Sequence, residues 1–479
     1  MMLRSLLSLV LSFTLCVAAS AAEQRLLTPQ DLWAIKRVGS PAVSPDGKHV
    51  VFTLQEWSID KNKSTTNLWT VPVAGGETRR LTTAETSEDT PVWSPDGTRI
   101  AFLSKRGEDE NASLYVIPFG GGEAERILEL PASVIAPKWM PDGKSIVFAT
   151  TAVPELAEKW EKGDLAAMKK EFKRRKDSKM TAKVTENRQY RHFDKYLTDN
   201  LVHRLLRVDV ATKARTDLTP KADRLFLNSG EVHYDISPDG KTIALEFNST
   251  APPFRDFPNA DIYLLPTDGS GDAKNITPEN KGADGLPLFG RDGRSVYFKR
   301  QEIPYYSGES QKLWRHEIAS GRNVAITDSL DVSVDDYELA ADGKTIWITA
   351  EDKGVVPVFR LNADGTGLKP AHSDGTATAL DVRADAVVFL NDNTRRPNEL
   401  FALDPKTGSA RQLTRINELF MANITLGKVE PYWFKGANDA NVHGWVVLPP
   451  NYDPAKKYPL VQLLHGGPHA MNRDSWSYR

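Results

Sequence analysis

The chain has 479 residues, too many for one ordinary core, and its 40% hydrophobic and 26% charged content is that of a folded globular protein. A formal net charge of -2 excludes the basic excess of a nucleic-acid binder and gives no reason to expect an anionic membrane surface as partner. In chain order, residues 1–22 come first. Arg4 supplies a positive start, Leu6 to Ala18 is apolar, and Ser20-Ala21-Ala22 offers small residues for cleavage before Glu23. That pattern predicts a secretory signal peptide, since the run is shorter than the roughly 20 residues a bilayer needs. The expectation is a secreted or periplasmic protein, with no membrane contact after cleavage. The only cysteine, Cys16, lies in this segment. The mature chain then has no disulfide and is held by core burial.

A repeat follows. Val43-Ser44-Pro45-Asp46-Gly47-Lys48 precedes Val50-Val51-Phe52, and Trp93-Ser94-Pro95-Asp96-Gly97-Thr98 precedes Ile100-Ala101-Phe102. Trp139-Met140-Pro141-Asp142-Gly143-Lys144 and Ile236-Ser237-Pro238-Asp239-Gly240-Lys241 repeat it, with weaker copies around Asp292, Asp342 and Asp385. Proline fixes φ, aspartate bonds its own backbone and glycine takes positive φ, so each copy predicts a hairpin turn. A third strand follows, as at Asn67–Val71, Ser113–Ile117, Asp261–Leu265 and Glu399–Leu403, and a fourth often ends in Leu-Thr, as at Leu81-Thr82, Leu218-Thr219 and Leu413-Thr414. Seven copies of a four-stranded unit predict a mainly β fold, a seven-bladed β-propeller over about residues 38–416 within a domain of 23–416.

One interval is longer: Asp142 and Asp239 stand 97 residues apart. The excess, about 154–196, is rich in Lys, Glu and Arg. Glu155–Trp160 and Leu165–Phe172 read as helix, followed by the basic run Lys173–Lys176. Two readings stand: a solvated helical insertion, or an arm reaching over a substrate entrance or a subunit contact.

After Thr414 the pattern changes, and 417–479 reads as the start of an α/β-hydrolase domain. Val442–Pro450 predicts a strand ending in a double proline. Leu460–Leu464 predicts a buried strand running into His465-Gly466-Gly467-Pro468. A strand ending in a His-Gly-Gly loop is the oxyanion-loop arrangement of α/β-hydrolases, where bare glycine backbone lets N–H groups approach an oxyanion.

The propeller, the Gly444-Trp445 strand, the loop His465–His469 and Asp474–Arg479 together resemble the prolyl oligopeptidase family, in its dipeptidyl-peptidase V and acylaminoacyl-peptidase branch. Leu27–Trp33 and Arg37–Pro41 resemble that branch's lead-in to its first blade. Arg191–Tyr196 with His203-Arg204-Leu205 resembles the segment after its blade-three insertion. The resemblance implies a serine peptidase that cleaves short peptides with a Ser-Asp-His triad under a propeller cap. It implies no cofactor. It assigns His465, Gly466, Gly467 and Pro468 to the oxyanion loop, with the Gly467 N–H as donor. No Gly-x-Ser-x-Gly occurs in the 479 residues, so the triad is expected beyond Arg479 and the chain alone is expected to be inactive.

The nine histidines give no reason to expect a metal site. His443 and His469 read as structural or surface residues. Trp69, Trp93 and Trp139 read as core, and Ser44, Ser94 and Ser237 as turn residues rather than nucleophiles. The alternative reading is a non-catalytic periplasmic propeller that binds a partner. Residues 440–479 speak against it, because such a module has no use for a His-Gly-Gly-Pro loop.

Overall fold

The computed structural model describes residues 24–156, 164–251, 253–254, 259–270, 272–306, 308–467 and 469–478. The signal-peptide segment, residues 157–160 of the first expected helix, Pro468 and Arg479 lie outside the described residues.

Seven four-stranded antiparallel sheets follow one another along the chain, each with its strands in sequence order. Their first strands are Arg37–Val43, Glu88–Trp93, Ile135–Trp139, Tyr234–Ile236, Asp284–Phe289, Val334–Leu339 and Thr376–Arg383. First strands of neighbouring blades touch, including those of blades one and seven, and at the junctions of blades three and four and of blades five and six the Tyr234 and Tyr337 hydroxyls donate to the Ala136 and Leu286 carbonyls, so the blades form a closed ring. The architecture is the seven-bladed propeller that the turns predict.

Each turn is built as its residues dictate. In blade one the Ser44 hydroxyl donates to Asp46 Oδ1 at 2.6 Å, the Lys48 N–H to the same oxygen at 3.1 Å, and the Gly47 N–H to the Ser44 carbonyl at 2.8 Å. Gly47 has φ +71°, and a Cβ there would meet Ala384 Cβ at 3.2 Å, a contact between blades one and seven. Ser94 and Ser237 repeat the serine–aspartate bond. The Leu-Thr ends have a use as well. The Thr82, Thr219 and Thr414 hydroxyls accept the backbone N–H groups of Leu68, Leu205 and Leu400 at 2.8–3.0 Å. Thr277 and Thr327 do the same in blades four and five. The fourth strand itself ends just before this pair.

Burial explains why the second strands are apolar on both faces. Val51 packs towards blade two with Ile100, Phe102 and Tyr115, while Val50, Phe52 and Leu54 pack towards blade seven with Val388, Leu390 and Leu400. Among the described residues seven such clusters lie one per blade-to-blade interface. Each fully buried phenylalanine, such as Phe52, contributes about 1.5–3 kcal/mol by leaving water. Trp139 lies in this core, and the Trp93 and Trp139 indoles reach back to the Ala42 and Val92 carbonyls of the preceding blade.

Within the insertion, Leu165–Asp177 is helical, five residues longer than the expected Leu165–Phe172, and Pro154–Leu156 forms a single 3-10 turn. The Asp164 carboxylate caps the helix by accepting from the Ala167 N–H. Its apolar side packs down: Met168 is buried, and Leu165 and Phe172 join the core between blades two and three. The helix is therefore docked on blades two and three, with Lys173, Arg174 and Lys176 in solvent and Arg175 bonded to Glu171 and the Asp199 carbonyl.

Past blade seven, Asn417 bonds both backbone groups of Lys36, and Ile424–Thr425 pairs in parallel with Arg25–Leu26. Chain entry and chain exit are tied together. Val429–Lys435 and Asn441–Val447 then form an antiparallel hairpin. The expected strand at Leu460–Leu464 is a correction. It adopts no strand, because no neighbouring strand among the described residues offers its backbone a partner, and Leu460 is 92% exposed.

Candidate oxyanion loop and the propeller face beneath it

The His465-Gly466-Gly467 loop follows the exposed 460–464 segment and is itself exposed. His465 Nδ1 lies 3.1 Å from the Gly466 carbonyl. Gly467 has φ +137°, and a Cβ would fall 2.8 Å from the His469 nitrogen. Only glycine fits that backbone, which leaves the peptide bare as an anion donor must be.

Downstream the chain turns onto the propeller. The His469 ring meets Tyr306 edge-on at 5.4 Å, and the Trp445 indole N–H donates to the Asn472 carbonyl at 2.9 Å. Asp474 is held on three sides. Its N–H donates to the Gly354 carbonyl at 2.7 Å, its carbonyl accepts from the Thr376 hydroxyl at 2.9 Å, and its carboxylate accepts from the Thr394 N–H at 2.7 Å. The Ser475 hydroxyl donates to Asp392 at 3.2 Å, and burial pushes the Asp392 carboxyl up to about 6. His443 lies between two indoles, tilted against Trp433 at 4.6 Å and edge-on to Trp445 at 4.8 Å.

The inner strands carry a second feature that sequence reasoning missed. Carboxylates reach from one blade to the backbone of the next. Asp235 accepts from the Phe289 N–H at 2.8 Å, Asp336 from Leu380 at 3.3 Å, and Asp381 from Val43 at 2.6 Å across the junction of blades seven and one. Arg383 lies 3.3 Å from Asp381 and 3.4 Å from Glu338, and Arg291 3.8 Å from Glu338. Burial pushes Glu338 upward, with Arg383 pulling the other way. The signal was present: Asp235, Glu338 and Asp381 each stand shortly before a repeat turn. His203, in the family-like stretch after the insertion, is likewise structural. Its Nδ1 accepts the Phe226 N–H at 3.0 Å, and burial lowers its pKa to about 4, so the ring is neutral.

The TolB beta propeller domain family matches residues 34–171. Dipeptidyl-peptidase 5 of Porphyromonas gingivalis is 30% identical over 467 residues, covering 95% of this chain and 65% of that protein. Dipeptidyl-peptidase 5 of Trichophyton schoenleinii is 28% identical, covering 96% of this chain and 66% of that protein. The chain thus spans about two thirds of the length of these curated relatives. The solved acylaminoacyl peptidase of Pyrococcus horikoshii shares the fold, with a TM-score of 0.73 at 16% identity over 95% of this chain and 64% of that one. With the propeller and the His-Gly-Gly loop as its landmarks, the chain is similar over almost all of its length to proteins named dipeptidyl-peptidase 5 and shares the fold of the acylaminoacyl peptidase.

Proposed function

We propose that residues 24–478 form the propeller and the oxyanion loop of an exported serine exopeptidase that removes dipeptides or acylated amino acids from short peptides. The observation that carries this reading is the His465–Gly467 loop, with a backbone only glycine can adopt, on a chain related over 95% of its length to dipeptidyl-peptidase 5. In this reading the Gly467 N–H donates to the oxyanion of the tetrahedral intermediate. The second donor and the Ser-Asp-His triad are supplied by sequence beyond residue 479. The closed ring of blades restricts entry to short or unfolded chains. Residues 1–22 direct export. The 479 residues hold no Gly-x-Ser-x-Gly, the motif that carries the nucleophile in this reading.

The test is to express the coding region extended downstream of codon 479 and assay dipeptidyl- and acylaminoacyl-p-nitroanilides. Turnover blocked by a serine-directed phosphonate is expected, with none from residues 1–479 alone. Turnover by residues 1–479, or an extended product inert to both substrates and phosphonate, would overturn the reading.

A further inference from the structure

The ring has a seam. All four strands of blade one lie within 37–80 and all four of blade seven within 376–412, so no strand crosses from one to the other. The junction rests on the apolar cluster of Val50, Phe52, Val388 and Leu400, on the Asp381–Val43 bond, and on Asn417 holding Lys36.

The segment His469–Tyr478 runs across this seam. It starts against Tyr306, between the second and third strands of blade five. Arg473 then pairs with Glu351 at 2.5 Å, and Asp474 bonds Gly354, Thr376 and Thr394. Ser475 bonds Asp392 in blade seven, and Trp476 is buried. Beyond the seam, the Arg37 guanidinium of blade one lies 4.4 Å over the Tyr478 ring. Ten residues therefore touch four consecutive blades of the ring, on both sides of the junction that the chain does not itself connect.

We propose that His469–Tyr478 is a clasp that keeps the ring shut at the junction of blades seven and one. The hydrogen bonds to Asp474 fix it on the blade-seven side, and the Arg37–Tyr478 contact fixes it on the blade-one side. The clasp does not depend on the catalytic reading, since its contacts are made by the 479-residue chain itself.

Hydrogen exchange of the full 479-residue chain tests this. Losing the carboxylate bond in Asp474→Ala, and separately the cation–ring contact in Arg37→Gln, should each speed exchange of the seam peptides 37–43 and 376–383. The expected acceleration is about tenfold, the scale of one or two such contacts. Exchange in blades three and four should stay unchanged, which also reports that the variants fold. Unchanged exchange at the seam would overturn the proposal. So would a uniform acceleration in all blades, which marks general destabilisation rather than a clasp.

Discussion

Asp392→Asn should change how stability depends on pH. Asp392 sits at the end of the strand Ala386–Asn393 and is 7% exposed. Burial raises its pKa from 3.8 to about 6, offset in part by the Ser475 hydroxyl and Arg396, while Asp474 adds to the rise. Its Oδ1 is buried with no hydrogen-bond partner among the described residues, a place suited to a proton. The folded pKa lies above the unfolded one. The contribution is therefore fully present below about pH 4 and is lost as pH rises through about 6. Two units correspond to ~3 kcal/mol at most, an upper figure because nearby water and Arg396 screen the charge. Asparagine resembles the neutral acid at every pH. The urea midpoint of the variant relative to the wild type should therefore rise between pH 4 and 7 and then stay level, followed by tryptophan fluorescence. Carboxylates with lowered pKa, such as Asp31 and Asp46, push the other way but are common to both proteins and cancel in the difference. A difference that stays flat from pH 4 to 8 would refute the assignment of a raised pKa to this group.

Thr414→Val should cost about 2–4 kcal/mol, because the buried Leu400 N–H and Glu399 carboxyl both lose the Thr414 hydroxyl; chemical denaturation measures it, and a loss below 0.5 kcal/mol, about that of an exposed control such as Thr407→Val, would contradict the role given to the Leu-Thr ends. The pair Leu463→Ser and Leu464→Ser should raise the solubility of the 479-residue chain without moving its thermal midpoint, since both side chains are over 80% exposed; sedimentation showing no gain would argue that this apolar segment is already covered in solution.

The fold was largely legible because its signal is local. A Ser-Pro-Asp-Gly turn carries its own hydrogen bonds within five residues, and three such turns in phase with four weaker copies leave few alternatives. The apolar runs Val50–Phe52 and Ile100–Phe102 likewise announce strands buried on both faces. What remained hidden depends on pairings distant in sequence. The Asp381 bond to Val43 joins positions 338 apart, and the Asp474 bond to Thr394 joins positions 80 apart. Nothing in the local pattern of Asp381 or Asp474 says which backbone they meet. The Leu460–Leu464 run shows the reverse failure: its pattern is that of a strand, but a strand needs a neighbour. At the loop itself, Gly467 was legible through its motif, while the clasp that follows it was read only as part of a resemblance.

The central claim is that the Gly467 N–H serves an oxyanion. Its most direct test is the kcat and KM of Gly467→Ala in the product extended past codon 479, assayed on a dipeptidyl-p-nitroanilide. The account predicts a fall in kcat of about 10²–10³ with KM little changed, since the lost bond forms only in the transition state, and phosphonate labelling of a folded protein that is slowed in parallel. A variant with wild-type kcat, or one in which only KM rises, would contradict it.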